Sequence, residues 1–177
     1  LTNFVESSEL GMYALAQKIG YLLRMIPVFF IQSLLQFFSK RVKKKNKDYN
    51  RDLNKFFYLG LVVTFIVGVI VSTFSKNIIY FLAGKEIVYS QNILIILSFI
   101  PFLSMLNFKN MIIILVNEKK NILNNSTWVT SIFMLLSVTF LCSFYKGYGL
   151  AVSLLLTEIV SFLVHKYFLN KNQIEEK

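Results

Sequence analysis

The sequence is poor in the residues that build most catalytic and metal sites. Its 177 residues include one cysteine, one histidine and two prolines. Cys142 alone cannot form an intrachain disulfide or a thiolate metal site, and His165 alone excludes a multi-histidine metal cluster. No glycine loop with a following lysine could hold a phosphate, and no pair of carboxylates lies at helical spacing within an apolar run. We therefore expect no enzyme, no catalytic residue, no metal site and no cofactor.

Apolar residues, by contrast, are abundant. They make up 55% of the chain, whereas soluble domains contain roughly 45–50%. The net charge of +10 could suggest a nucleic-acid partner, but the basic residues cluster at the ends of apolar runs. No zinc-ligand spacing or RNA-binding aromatic motif accompanies them. The composition predicts a polytopic membrane protein that does not bind nucleic acid.

Charge is concentrated in one stretch, Lys40–Lys55, which carries eight Lys or Arg against two Asp. Short segments rich in Lys and Arg stay on the cytoplasmic side of a membrane. We therefore predict a cytoplasmic basic loop over residues 40–55. The Lys119–Lys120 turn and the tail from His165 belong on the same side, which puts the C-terminus in the cytoplasm and the N-terminus outside.

Five apolar runs are long enough to cross the roughly 30 Å hydrocarbon core of a bilayer. The predicted fold class is therefore all-α, a polytopic membrane helix bundle that occupies residues 1–177 as one domain. Pro27 and Pro101 are candidate kinks, and Gly60 and Gly68 either permit close helix approach or are ordinary membrane glycines. The predicted spans cover about residues 12–38, 56–75, 92–116, 122–143 and 148–169.

Ionisable residues inside the runs are the candidate functional groups, because a charge in the membrane costs several kcal/mol unless it is paired or hydrated. Arg24 lies about 16 residues, roughly 24 Å, from Lys40, too deep to reach the inner interface. Its guanidinium could bind phosphate oxygens or pair with an acidic residue of another helix. Lys18 lies nearer the outer face, about 120° around the helix from Arg24, and can extend outward.

Glu158 falls near the middle of the last run, with Ser161 and His165 on the same helical face. This carboxyl could couple transport to H⁺ or a cation, or it could make one hydrogen-bonded helix contact. Asn107 and Asn110 are expected to form interhelical hydrogen bonds.

Three stretches resemble conserved segments of a transporter family. Gly11–Ile19, GMYALAQKI, is similar to the G-x-Y-x-x-A-x-[KR]-[IL] entry to the eighth span of polysaccharide flippases in the multidrug/oligosaccharidyl-lipid/polysaccharide exporter superfamily. Leu82–Leu97 resembles the outer G-x-x-[FY]-x-x-A-x-x-x-L-x-[IL]-L segment, and Tyr148–Glu158 resembles the G-x-[AG]-x-[AS]-x-x-x-[AST]-E opening of a late span. Ile87 and Ser90 depart from the pattern, since an aromatic and an Ala are common there.

The resemblance implies an O-antigen or teichoic type flippase in the bacterial cytoplasmic membrane, acting in surface polysaccharide biosynthesis. The five spans would be approximately spans eight to twelve, most of the C-terminal lobe of a two-lobe transporter. The implied substrate is an undecaprenyl-diphosphate-linked oligosaccharide. The implied partners are the membrane, the missing N-terminal lobe and a polysaccharide polymerase.

The resemblance also assigns roles to residues. Arg24, Gln17, Tyr21 and Lys18 are predicted to bind the diphosphate or sugars, and Glu158 and His165 to tune coupling. Three alternatives stay open. The chain could belong to a drug or lipid II exporter of the same superfamily, to a membrane-embedded polysaccharide polymerase, or to a scaffold subunit.

Overall fold

The computed structural model describes residues 7–43 and 48–175, and within these ranges the regular structure is all α-helical, without strands. The predicted all-α fold class is confirmed. The helices, in chain order, are α1 (Ser7–Lys43), α2 (Tyr49–Thr73), α3 (Ser75–Ala83), α4 (Val88–Leu97), α5 (Ile100–Leu106), α6 (Phe108–Val116) and α7 (Lys120–Glu175).

Among the described residues, four helical stretches are long and apolar enough to cross a membrane. They are Glu9–Val42, Tyr49–Thr73, Val88–Leu106 and Lys120–Asn172. Helices of this length satisfy their own backbone hydrogen bonds, as a membrane interior requires. The fold is consistent with the multi-pass membrane character that the composition predicts.

Helix α7 folds back on itself at Lys146, the residue inside it with non-helical backbone angles (φ 51°, ψ −128°). Ile122 and Leu169, from the two ends of α7, pack in one apolar cluster, which a straight helix of this length could not achieve. Residues 120–145 and 147–175 therefore form two antiparallel arms. The connection between the predicted spans 122–143 and 148–169 is thus a single non-helical residue.

Gly149 makes this sharp turn possible. A Cβ atom at Gly149 would lie 2.2 Å from the carbonyl oxygen of Leu141, so the two arms approach more closely than any side chain would allow. The backbone N–H of Gly147 donates to the Tyr89 hydroxyl at 3.1 Å, which ties the turn to α4.

The loop predicted over residues 40–55 is not observed, because most of the described part of this segment is helical. Helix α1 continues to Lys43 and α2 begins at Tyr49, whereas residues 44–47 lie outside the described ranges. An ion pair between Arg41 and Asp52 joins the two helix ends, and the Tyr49 ring packs edge-on against Phe38. These contacts stabilise the ends of α1 and α2, and both helices therefore continue beyond the apolar runs from which the spans were predicted.

The N-terminal boundary also differs from the prediction. The first span was predicted to begin at about residue 12, but α1 already begins at Ser7, and residues 1–6 lie outside the described ranges. Helix α3 lies between the second and third predicted spans. That helix ends at Gly84, whose φ of 69° is the left-handed conformation that commonly terminates helices.

The third predicted span, 92–116, is divided into three helices. α4 and α5 are separated at Ser98 and Phe99, and Asn107 separates α5 from α6. Pro101 lies in the first turn of α5, where the missing backbone N–H costs nothing. Pro27, by contrast, lies inside α1 without interrupting it.

Buried apolar residues pack at both ends of the bundle. One cluster includes Tyr13, Leu97 and Leu150, and the opposite cluster is built around Phe38 and Phe108. The middle of α1 and of the second α7 arm lies between these clusters.

Candidate functional site

The two charged residues singled out in the sequence form an ion pair. Arg24 Nη2 donates to Glu158 Oε1 at 2.7 Å and so joins α1 to the second arm of α7. The Arg24 side chain is 39% exposed and that of Glu158 is 11% exposed. Arg24 lies near the middle of the 37-residue α1, well away from both ends of the bundle. Of the two interpretations of Arg24, pairing with an acidic residue of another helix is present in the structure.

Arg24 lines two separate cavities. The first, of about 190 Å³, lies toward the start of α1, and its walls are Tyr13, Gln17, Gly20, Tyr21, Arg24, Leu97, Ile100, Met134, Leu150 and Leu154. The second, of about 250 Å³, lies toward the end of α7. Glu158 and His165 line this second cavity together with Arg24. The ion pair therefore lies where the two cavities approach each other.

The first cavity gathers three of the four predicted substrate contacts. Gln17 Nε2 donates to the Tyr21 hydroxyl at 2.9 Å, one helical turn away, and both residues line the cavity with Arg24. Lys18 is exposed on α1 and is absent from the described walls of both cavities that Arg24 lines. The structure thus brings Arg24, Gln17 and Tyr21 together and leaves Lys18 apart.

Polar side chains continue from Glu158 along one wall of the second cavity. His165 Nδ1 lies 2.7 Å from the Ser161 carbonyl oxygen. Because that oxygen can only accept, this contact places a proton on Nδ1. Asn107 Nδ2 donates to the Ser161 hydroxyl at 3.3 Å, and Asn110 Nδ2 donates to the Phe162 carbonyl at 3.4 Å. The predicted interhelical hydrogen bonds of both asparagines are confirmed.

Three buried polar atoms around the cavities have no hydrogen-bond partner among the described residues. They are the Tyr13 hydroxyl, Ser104 Oγ and His165 Nε2. Tyr13 lines the first cavity, and Ser104 and His165 line the second. Buried polar groups are nearly always hydrogen-bonded, so these atoms mark both cavities as places that suit polar ligand groups or water. Tyr13 belongs to a polar stripe visible in the sequence, whereas nothing in the sequence distinguishes Ser104.

Lys109 and Cys142, also within apolar runs, are absent from the described walls of the two cavities that Arg24 lines. Lys109 Nζ lies 4.3 Å from the centroid of the Phe57 ring, a cation–π geometry that stabilises its charge. Cys142 is a buried free thiol. Within residues 7–43 and 48–175, no three His, Cys, Asp or Glu side chains lie close enough to hold a metal ion.

Comparison with known proteins adds no relative. No protein family matches the sequence, no curated protein is significantly similar to it, and no solved structure matches its fold. The function must therefore be inferred from the Arg24–Glu158 pair and the two cavities beside it.

Proposed function

We propose that the chain is the C-terminal lobe of a flippase that carries an undecaprenyl-diphosphate-linked oligosaccharide across the bacterial cytoplasmic membrane for surface polysaccharide biosynthesis. The observation that carries the proposal is the Arg24–Glu158 pair, which lies at mid-bundle beside two cavities. Charges at this depth mark substrate or ion pathways in membrane proteins. The unpartnered polar atoms in the cavity walls suit a polar cargo.

In this proposal the chain crosses the membrane five times, because each arm of α7 forms its own span. The distribution of charge supports an outer N-terminus and a cytoplasmic C-terminus. At the proposed outer end, Lys76 pairs with Glu86 at 2.8 Å and Lys146 pairs with Glu9 at 2.9 Å. The opposite end carries the basic segment 40–55 and the lysines at both ends of α7, as the positive-inside rule requires.

The diphosphate would bind Arg24 in competition with Glu158. A guanidinium presents a planar fork of donors that matches phosphate oxygens. When the diphosphate occupies this fork, Glu158 loses its partner and requires a proton or a cation to offset its charge. Binding of substrate at Arg24 and of an ion at Glu158 would therefore favour each other, and Ser161 and His165 extend the polar path from Glu158 into the second cavity.

The first cavity would bind sugar. The rings of Tyr13 and Tyr21 offer faces for stacking, and Gln17 and the unpartnered Tyr13 hydroxyl offer hydrogen bonds. Because this cavity is small, it would contact only part of an oligosaccharide, and the rest would extend toward the other lobe.

The test is complementation in cells depleted of the protein. We expect lipid-linked oligosaccharide to accumulate on the cytoplasmic side and wild-type protein to relieve the accumulation. Arg24→Ala should fail at equal membrane levels. Lys109→Ala is the matched control, because it removes an intramembrane cation outside the site and should complement. No accumulation on depletion, or full complementation by Arg24→Ala, would contradict the proposal.

A scaffold subunit is the second candidate, and one observation favours it. Arg24 and Glu158 compensate each other within the chain, so neither charge requires a substrate. The paired exchange Arg24→Glu with Glu158→Arg separates the two functions. If the ion pair is purely structural, the exchanged protein should complement as well as wild type. If the chain is a flippase, the cation must lie on α1, so the exchanged protein should fold but fail to complement.

A further inference from the structure

Two adjoining polar cavities lie at the opposite end of the bundle from Lys146, where the turn after α6 meets the end of α7. The smaller has a volume of about 140 Å³ and the larger about 250 Å³. Both are lined by Asn121, Ile122 and Asn172. Either cavity exceeds the roughly 30 Å³ that one water molecule occupies in the liquid, so together they can hold a hydrated polar group.

The walls of this paired cavity are basic. Lys119 and Lys120 line the larger part and Lys171 lines the smaller part, and Glu118 is the one carboxylate among the described side chains of these walls. Lys119 Nζ donates to Asn172 Oδ1 at 3.3 Å, which holds this ammonium group at the cavity wall. Lysines combined with asparagine amide donors favour a phosphate anion over a neutral or cationic ligand.

The position of Trp128 favours a headgroup depth for the paired cavity. Trp128, an exposed residue on the same arm, follows Asn121 by about two helical turns, or roughly 10 Å, and Trp side chains favour the membrane interface. Ile122 and Phe168 give the smaller cavity apolar walls beside its polar ones. A lipid headgroup with its attached acyl chains matches this combination, since basic pockets between membrane helices bind anionic headgroups.

We propose that this paired cavity binds the phosphate group of an anionic phospholipid. The site is separate from the Arg24–Glu158 pair, because Lys171 lies about 13 residues, or roughly 20 Å, beyond Glu158 along α7. It therefore does not depend on the flippase proposal, and a protein that fails to flip any substrate could still bind lipid here.

Trp128 provides an intrinsic probe, because it is the sole tryptophan of the chain. The 177-residue chain is placed in phosphatidylcholine vesicles that contain an equal fraction of brominated phosphatidylglycerol or brominated phosphatidylcholine, and quenching of Trp128 is compared at low salt. We expect the anionic lipid to associate at least about threefold more strongly, since each lysine near a membrane surface favours anionic lipid.

Variants assign the preference to the site. Replacing Lys119, Lys120 and Lys171 by Ala should bring the two lipids to equal quenching. Replacing the same residues by Arg should keep the preference, which separates loss of charge from loss of fold. A matched triple of lysines elsewhere, Lys18, Lys76 and Lys85 changed to Ala, should behave as wild type. Equal quenching in the wild type, or an unchanged preference in the alanine variant of the site, would overturn the proposal.

Inorganic phosphate distinguishes the two sources of the same chemistry. If millimolar phosphate removes the preference and chloride at equal ionic strength does not, the cavity accepts free phosphate as well as a headgroup. If phosphate and chloride act alike, the site requires the attached lipid. The first result supports a phosphate site directly, and the second supports a lipid site only together with the loss of preference in the alanine variant.

Discussion

Arg24, near the middle of the bundle, has both an acidic partner and open cavities beside it. Glu158 is 2.7 Å away, so the charge is partly compensated, and a cavity extends on either side. A cation sealed inside a bundle with its partner could only stabilise the fold. A cation that also lines cavities can exchange that partner for a ligand.

The energetic coupling of this pair is directly measurable. Arg24→Gln and Glu158→Gln should each destabilise the chain by about 1–3 kcal/mol, because each leaves the other charge without its partner. The double variant should cost less than the sum of the single changes. Unfolding in detergent, followed by circular dichroism, gives the three free energies. Strict additivity would show that the two side chains do not interact in solution.

Lys146 adopts a backbone conformation that suits glycine. Its φ of 51° crowds the Cβ atom of any L residue. We predict that Lys146→Gly is more stable than Lys146→Ala by about 1 kcal/mol. Both changes remove the ion pair with Glu9, so the difference isolates the backbone.

The comparison is made by thermal unfolding of the two variants in the same detergent. If Lys146 lay in a regular helix, Ala would instead be the more stable by about 1 kcal/mol. The sign of the difference therefore tests whether α7 turns at this residue.

At the scale of elements, α2 packs through a strip of small residues. Gly60, Thr64 and Gly68 are buried on one face, and a Cβ atom at Gly68 would lie 2.9 Å from the Ser98 carbonyl oxygen. The close helix approach suggested by the two glycines is confirmed. Without a hydrophobic force between helices in lipid, such backbone proximity is a main source of association.

Gly68→Ala should therefore destabilise the chain by about 1–3 kcal/mol, because the backbone of α2 must move away from the junction between α4 and α5 to admit the methyl group. Gly11→Ala is the matched control. A Cβ atom at Gly11 meets nothing within 4 Å, and Ala is favoured over Gly inside a helix. The control should be neutral or stabilising when both variants are unfolded side by side, and equal losses would contradict the packing described for α2.

The sequence predicted most helices because apolar runs reveal where a helix crosses a membrane. It misplaced the ends of α1 and α2 because hydropathy does not detect aqueous helix extensions such as the one held by Arg41, Asp52 and Tyr49. Pro101, Gly147 and Gly149 are residue types that favour helix breaks. The geometry of each break, however, depends on contacts with neighbouring helices.

The candidate site was only half predictable. The sequence identified Arg24 and Glu158 separately, as charges at depth. Their pairing could not be derived, since it joins residues 134 positions apart and depends on how α1 and α7 pack. Ser104 could not be identified at all, because an isolated serine in an apolar run has no distinguishing pattern.

For the whole molecule, the fold-back of α7 decides how many times the chain crosses the membrane. With two arms, Lys120 and Lys171 lie at one end of the bundle and Tyr145 at the other, because the helix direction reverses at Lys146. With one arm, Lys120 and Lys171 would lie on opposite sides. From the arrangement of charge we predict a cytoplasmic position for both lysines.

Single cysteines in a Cys142→Ala background test this arrangement. We expect Tyr145→Cys and Lys85→Cys to react with a membrane-impermeant maleimide in intact cells, because both positions are exposed at the proposed outer end. Lys120→Cys and Lys171→Cys should react only after the cells are permeabilised. Labelling of one of these two in intact cells would mean that α7 crosses once. Labelling of both would instead show that the chain has the opposite orientation, with the paired cavity in the outer leaflet.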